Sequence, residues 1–289
     1  MYNFVILTDN TVDMPVEWLN EHEVGYECLP CSMNGVVYDK KNPIDTKLFY
    51  RQMREGAMPT TSQMNPAMAE AMFETYLQEG KDILYLAFSS GLSGTCNSAR
   101  IAAEELKEKY PERQIKIMDS LAASMGEGLL LYYVVKLRDK GKNLDEICDW
   151  LLENRLHLCH VFTVDDLNHL HRGGRVSKAT AVLGTLANIK PMLHVDNEGK
   201  LISIGKVRGR KKSLATLVSM MEERIGRYCD KNETVFVSHG DCEADAEYVA
   251  GLVKEKFGIE NIMIHPISAT IGAHSGPGTV ALFFLGEYR

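Results

Sequence analysis

No apolar stretch of this 289-residue sequence approaches the roughly 20 consecutive residues that a membrane-spanning helix requires. The opening Met-Tyr-Asn-Phe leads directly into a strand-like run, without the pattern of a signal peptide. Positive charge is also scarce, because 32 Lys and Arg face 39 Asp and Glu, giving a formal net charge of -7. An acidic chain suits neither nucleic acid nor an anionic membrane as its main partner. We therefore expect a soluble, cytoplasmic protein with no nucleic-acid partner.

The seven cysteines lack the even number and the spacing of a disulfide framework. Cys28 and Cys31 form a CxxC pair, but Cys31 leads into a turn and an extended segment rather than a redox-site helix. Cys159 stands between His157 and His160 in an apolar stretch, with no second ligand pair at a metal-binding spacing. The cysteines are therefore expected to be reduced, and no metal or other cofactor is predicted.

Motifs of several common enzyme classes are missing. Neither GxxxxGK[ST] nor GxGxxG after a strand is present, which argues against a nucleotide triphosphate or dinucleotide site. No GxSxG elbow is present either. A Ser93 nucleophile would need His274 as its base, together with an acid that orients the base. The residues alone leave open a serine-dependent acyl hydrolase or phosphotransferase that uses Ser93 and His274.

What the sequence does contain is a hydroxyl-rich loop, Ser89–Ser98, between the apolar run Ile83–Phe88 and the amphipathic segment Thr95–Lys109. An apolar run, a glycine-broken loop and helical periodicity predict a strand, a tight turn and a helix start. A helix start offers unpaired backbone N–H groups and partial positive charge. Five hydroxyls and two glycines in these ten residues exceed what a helix cap needs, so the loop is predicted to bind an anion.

Strand-like runs alternate with helical patterns in the first half, which predicts a mainly parallel sheet with ligands at the carboxyl ends of its strands. In the second half, the turn sequence at Asp196–Gly199 between two apolar runs predicts a hairpin and a mixed sheet. Helices are predicted over Ser177–Asn188 and Arg210–Tyr228. The fold class is therefore α/β.

Length predicts roughly two domains, although no linker or repeat separates them. We predict an N-terminal α/β domain of residues 1–156 and a C-terminal α/β domain of residues 157–289. This division allows the segment near residues 59–80 to pack with the second domain.

Two further segments carry polar groups that suit a binding site. Pro59–Pro66 reads as a second helix start, in which Asn65 caps the helix and leaves Thr61 and Ser62 free in the approach loop. The glycine-rich segment Gly272–Gly278 fixes a sharp turn between apolar strands and presents a histidine. A polar surface loop and a structural histidine are the simpler interpretations of these segments taken singly.

The segments TDNTVDMP, TTSQMNP, SSGLSGTCNSAR, DSLAASMGEG, HRGGRVS, VRGRKKS and IGAHSGPG occur in this order. Together they resemble the DegV family of bacterial fatty-acid-binding proteins, which includes the FakB subunits of fatty acid kinase. The resemblance covers Ile6 to Gly278. It departs from the family pattern at Asn10, where Ser is commoner, and at Met64-Asn65, where Pro commonly follows the Gln.

The resemblance implies two DegV-like α/β domains with a long acyl chain in an apolar tunnel between them. It implies that hydroxyls and a histidine hold the carboxylate, and on this sequence these residues are Thr61, Ser62, Ser93, Gly94 and His274. It further implies a carrier, not an enzyme, that presents the fatty acid to a separate ATP-dependent kinase, which forms acyl phosphate for phospholipid synthesis.

The resemblance also gives a role to the basic face of the second half. Arg172, Arg175, Arg208 and Arg210 match positions near the surface that docks the fatty acid kinase. A solvated run of charge is an equally good interpretation of these residues from charge alone. A carrier of this kind is compatible with a transient contact with a membrane surface.

Overall fold

A computed structural model describes residues 3–178 and 188–289, so most of the helix predicted over 177–188 lies outside the described residues. The strands are β1 (Phe4–Asp9), β2 (Val24–Glu27), β3 (Cys31–Met33), β4 (Val36–Tyr38), β5 (Thr60–Thr61), β6 (Asp82–Ala87), β7 (Ile115–Asp119), β8 (Leu158–Thr163), β9 (Ile189–Val195), β10 (Leu201–Arg208), β11 (Val235–His239), β12 (Ile262–Pro266) and β13 (Val280–Leu285).

The α-helices are α1 (Val16–Glu21), α2 (Thr46–Arg54), α3 (Pro66–Gln78), α4 (Thr95–Lys109), α5 (Met125–Asp139), α6 (Leu144–Asn154), α7 (Asn168–Arg172), α8 (Arg210–Ile225), α9 (Glu243–Phe257) and α10 (Ala269–Ser275). Short 3-10 helices cover Asn10–Val12 and Gly226–Lys231. No described helix is both long and apolar enough to cross a membrane.

The strands form three sheets. The first sheet has the order β2-β1-β6-β7 and is parallel throughout. The second has the order β10-β9-β8-β13-β11-β12, in which only β11 and β12 are parallel neighbours. A small third sheet, β4-β3-β5, is antiparallel. The predicted α/β class, with one mainly parallel and one mixed sheet, is confirmed.

Local sequence explains where several helices begin. Asn65 accepts a hydrogen bond from Met68 N, with Pro66 in the first turn of α3, as predicted. Asn143 and Glu146 form a capping box at the start of α6. The predicted helix Thr95–Lys109 has the same bounds as α4.

Two predicted loops contain regular structure instead. Thr60–Thr61 is a short strand, because it pairs with Ser32 and Cys31 of β3. Part of the predicted turn Gly272–Gly278 belongs to α10, whose first turn follows Ser268. The prediction of a loop running directly between two strands was therefore wrong at that end, and His274 is presented from the last turn of a helix.

The core crosses the predicted domain boundary. α6 ends at Asn154 and the second sheet begins at Leu158, on either side of residue 156. The largest buried apolar cluster nevertheless includes Ile6 of the first sheet, Leu130 of α5 and Phe236 of the second sheet. The division into residues 1–156 and 157–289 therefore remains a proposal. The seven cysteines are free thiols in this structure.

The side chain of Arg289 joins segments that are distant in sequence. Its guanidinium donates to the carbonyls of Leu158 at 3.0 Å, Leu121 at 2.6 Å, Asp196 at 2.9 Å and Arg155 at 2.5 Å. Burial lowers the pKa of this guanidinium to about 10, so it stays charged near neutral pH. The contact holds the turn after β9 against the ends of β7 and α6.

Replacing this side chain tests how much the contact stabilises the fold. We expect Arg289→Ala to lower the free energy of unfolding by about 2–4 kcal/mol, because four backbone carbonyls, one buried and three part-buried, lose a charged donor. Urea unfolding measures the change. Arg227→Ala, at a side chain that is 72% exposed, is the control and is expected to change stability by at most about 0.5 kcal/mol. Equal effects of the two substitutions would contradict the assignment.

Candidate functional site

A cavity of about 440 Å³ lies where the carboxyl ends of the first sheet face the second sheet. Thr11 follows β1 and Phe88 follows β6, and both line it. Binding cavities for small molecules are commonly of about this size and apolar for most of their wall. The position agrees with the expectation that ligands gather at the carboxyl ends of parallel strands.

One face of the second sheet supplies part of the cavity wall. Strand pairing sets Ser238, Ala281 and Phe162 side by side across β11, β13 and β8. Two residues farther along the strands, Phe283 pairs with His160. All five side chains line the cavity, because residues two apart on a strand share a face.

Most of the residues predicted to bind an anion line this cavity. Thr61, Ser62, Ser93 and His274 all line it. Pairing with Cys31 in β3 turns Thr61 inward, while its neighbour Thr60 is exposed. The structure therefore brings together four of the five predicted residues from three separate segments.

Thr61 and His274 are in direct contact. Thr61 Oγ1 lies 2.7 Å from His274 Nε2. Burial, with Arg175 and Arg172 nearby, lowers the pKa of His274 to about 4, so the imidazole is neutral at pH 7. If Nε2 carries the proton, it donates to Thr61, and the Thr61 O–H is then free to donate into the cavity.

Ser93 is held by the start of α4. Its Oγ accepts from Thr95 N at 3.2 Å and lies 3.0 Å from Thr95 Oγ1. Among the hydrogen bonds of the described residues, none joins Ser93 to His274. The pair is therefore not in the contact that a serine nucleophile and its base require.

Two glycines fit closely around these side chains. Gly94, the fifth predicted residue, precedes α4 and is not part of the cavity wall; a Cβ there would clash with the side chain of Gln63. A Cβ at Gly173, in the HRGGR segment, would clash with His274 Nδ1. Gly173 therefore lets the turn after α7 pack directly on the imidazole.

The four predicted docking arginines occupy different environments. Arg172 and Arg208 are exposed. Arg210 pairs with Asp245 at 2.8 Å and is thus held against α9. Arg175 is half-buried, lines the cavity and donates from Nε to the Leu92 carbonyl at 3.2 Å. Sequence reasoning placed Arg175 on a surface because charge alone does not indicate which way a side chain points.

The hydroxyls of the predicted anion loop divide into different roles. Ser89 Oγ donates to the Gly199 carbonyl at 2.8 Å, so it docks the β9–β10 turn instead of facing a ligand. Thr95 Oγ1 accepts from Met64 N at 3.2 Å. Of the five hydroxyl residues in Ser89–Ser98, Ser93 lines the cavity.

Sequence reasoning missed a buried acid cluster beside the cavity, formed by Asp9, Asp13 and Glu127. Asp13 accepts from Ser124 Oγ at 2.5 Å and from the Ser268 backbone N–H at 2.9 Å. Burial raises the pKa of all three carboxyl groups above the usual range, that of Asp13 to about 7. The only signal in the sequence was that Asp9 ends, and Asp13 follows, a buried strand.

The comparisons with known proteins agree on one family. The model of the DegV family, described as uncharacterised proteins, matches residues 3–287. A DegV domain-containing protein from Clostridium perfringens is 46% identical over 291 residues, covering 100% of this chain and 99% of that protein.

Solved structures are similar over the whole chain. A DegV family protein from Thermus thermophilus, described by its fatty acid binding, has a TM-score of 0.87 at 28% identity, with 99% of this chain and 100% of that chain covered. DegV from Bacillus subtilis, a fatty acid binding protein, has a TM-score of 0.84 at 27% identity, with the same coverage.

The pH dependence of folding tests the environment of Asp13. Its pKa is about 7 in the folded protein against 3.8 for an ordinary Asp, so the folded state binds more protons between these values. The stability it contributes is therefore full below about pH 4 and is lost as the pH rises through about 7, by up to about 4 kcal/mol.

We expect Asp13→Asn to remove this part of the pH dependence, because its amide oxygen can still accept from Ser268 N–H, its NH2 group can donate to Ser124 Oγ, and it does not titrate. The measurement is denaturant unfolding of both proteins from pH 4 to pH 8. Asp149→Asn, at an exposed position of α6, is the control. A constant difference between wild type and Asp13→Asn across this range would overturn the assignment.

Proposed function

This chain belongs to the DegV family, and on that premise we propose that it binds a long-chain fatty acid in the cavity between its sheets. The observation that carries the proposal is that one cavity combines apolar side chains, such as Phe88 and Phe283, with the Thr61 and Ser93 hydroxyls and the His274 imidazole. The DegV family proteins from Thermus thermophilus and Bacillus subtilis, described as binding fatty acids, support it.

The apolar wall supplies most of the affinity in this proposal. Burying a methylene group is worth about 0.8 kcal/mol, so a chain of about sixteen carbons gains roughly 10 kcal/mol before the costs of binding. The carboxylate then fixes the orientation of the chain. A fatty acid bound this tightly is expected to co-purify with the protein.

The carboxylate is proposed to lie among Thr61, Ser62 and Ser93, near the start of α4, where Gly94 lies behind the cavity wall. His274 stays neutral and orients Thr61 through their 2.7 Å contact. Arg175, half-buried in the wall, supplies the positive charge that offsets the carboxylate. The head group is thereby recognised by donors that the fold holds in place before the ligand arrives.

We further propose that the protein is a carrier subunit, similar to FakB, rather than an enzyme. Ser93 and His274 do not form a nucleophile–base pair, which weakens the hydrolase alternative. A separate kinase would transfer a phosphoryl group from ATP to the bound carboxylate and release ADP. Arg172 and Arg208 are exposed and suit the docking surface, whereas Arg175 and Arg210 are engaged within the fold.

Mass spectrometry of solvent extracts tests the lipid. Wild type purified without added lipid is expected to carry a C14 to C18 fatty acid near one per protein. The double variant Thr61→Ala, Ser93→Ala is expected to bind at least about tenfold more weakly, because the carboxylate loses two donors. Ser90→Ala, an exposed serine of the same loop, is the control. Lipid-free wild type, or undiminished lipid in the double variant, would count against the proposal.

Charge reversal tests the docking surface. Arg172→Glu combined with Arg208→Glu is expected to lower acyl phosphate formation by a bacterial fatty acid kinase and ATP at least about tenfold at low salt, with fatty acid occupancy unchanged. Lys41→Glu combined with Lys140→Glu, at two exposed positions, changes the net charge equally and is the matched control. Equal rates for the two reversed proteins would show that these arginines do not dock the kinase.

A further inference from the structure

Asn10 joins the two parts of the protein that meet in the Thr61–His274 contact. It directly follows β1 and is half-buried. Its Oδ1 accepts from Leu29 N at 2.9 Å, and its Nδ2 donates to Thr270 Oγ1 at 2.9 Å. One amide side chain therefore bridges the connection between β2 and β3 and the first turn of α10.

The Leu29–Cys31 segment, between β2 and β3, supports the hydroxyl side of the proposed carboxylate site. Ser62 N donates to the Pro30 carbonyl at 3.0 Å. Thr61 pairs with Cys31 at the start of β3. The position of this segment therefore sets the positions of Thr61 and Ser62.

The helix α10 supplies the imidazole side of the same site. Thr270 and His274 are four residues apart, so they lie on one face of the helix, one turn from each other. Both line the cavity. The Thr270 hydroxyl also donates to the Leu29 carbonyl at 3.3 Å. Asn10 and Thr270 thus tie the helix to the Leu29–Cys31 segment.

Apolar packing also brings these two parts together. Cys31 and Ala273 belong to one buried cluster, together with Phe49 and Ile267. Such packing is non-directional, so it holds α10 against β3 without fixing the relative positions of their polar groups. The hydrogen bonds of Asn10 are directional and can fix them.

We propose that Asn10 is a positioning residue for the carboxylate site, because it fixes the hydroxyls relative to the His274 imidazole. This inference rests on the proposed function and concerns how the same site is held in shape. Asn10 is not among the residues that line the cavity, so it acts through Leu29 and Thr270 and not by touching the ligand. The family resemblance does not imply this role, since Ser is commoner than Asn at this position.

The test measures how strongly the protein prefers a carboxylate to a neutral head group. Palmitic acid and 1-hexadecanol, which have chains of equal length, each displace a fluorescent fatty acid from the protein. The measured quantity is the ratio of the Kd for hexadecanol to the Kd for palmitic acid. Asn10→Leu removes both hydrogen bonds at similar side-chain size and is expected to lower this ratio about fivefold to tenfold. Apolar contacts and overall stability affect both ligands alike, so they cancel in the ratio.

Two further variants separate positioning from a general structural role. Asn232→Leu is the matched control, because Asn232 also joins distant segments, donating to the Leu285 carbonyl at 2.8 Å and accepting from Leu285 N at 2.7 Å. Asn232 does not line the cavity, so this variant should leave the ratio unchanged. Thr270→Val keeps the shape of the side chain but removes the hydroxyl that bonds Asn10, and it should also lower the ratio.

A double-variant cycle tests whether Asn10 acts through the hydroxyls. Thr61→Ala removes one of them directly. Asn10→Leu should therefore lower the ratio less in the Thr61→Ala protein than in wild type. Equal effects in the two backgrounds would contradict the inference.

The possible failures are distinguishable. If palmitic acid binds more tightly than hexadecanol but Asn10→Leu leaves the ratio unchanged, this inference is wrong and the proposed function stands. The inference also fails if Asn232→Leu lowers the ratio as much as Asn10→Leu does. If wild type binds neither ligand, or binds both equally, the proposed function itself fails.

Discussion

The main constraint on this structure is that polar side chains at the ends of strands are buried between two sheets. Around Asp9, Asp13 and Glu127 the described hydrogen bonds come from hydroxyls and backbone N–H groups, such as those of Thr11 and Ser268. Carboxyl groups removed from water in this way resist ionisation. These carboxyl groups therefore favour the protonated form and are hydrogen-bonded by hydroxyls and backbone N–H groups. Two of the residues that supply these donors, Thr11 and Ser124, also line the cavity.

Few charged groups also surround the proposed carboxylate site. His274 is neutral and contacts Thr61, while the guanidinium of Arg175 is tied to the Leu92 carbonyl. The site therefore presents neutral donors at close range and one positive charge fixed to the wall. Among the described residues that line the cavity, Arg175 is the one that is charged at neutral pH, which is consistent with the proposed ligand and its single anionic group.

The sequence predicts best the elements that carry long-range periodicity or a clear turn. The bounds of α4 were predicted without error, and the hairpin of β9 and β10 follows from its turn. The third sheet was missed because strands of two or three residues have no periodicity to detect. α10 was missed because Gly272 and its polar neighbours read as a loop, while contacts with other segments stabilise a helix.

The turn Asp196–Gly199, between β9 and β10, packs tightly against the hydroxyl-rich loop Ser89–Ser98. A Cβ at Gly91 would clash with the Glu198 carbonyl, and one at Gly199 with Ser89 Oγ. Two surfaces that fit this closely must change together during evolution. Hybrids that join the first half of one relative to the second half of another should therefore fold best when this loop and this turn come from the same parent.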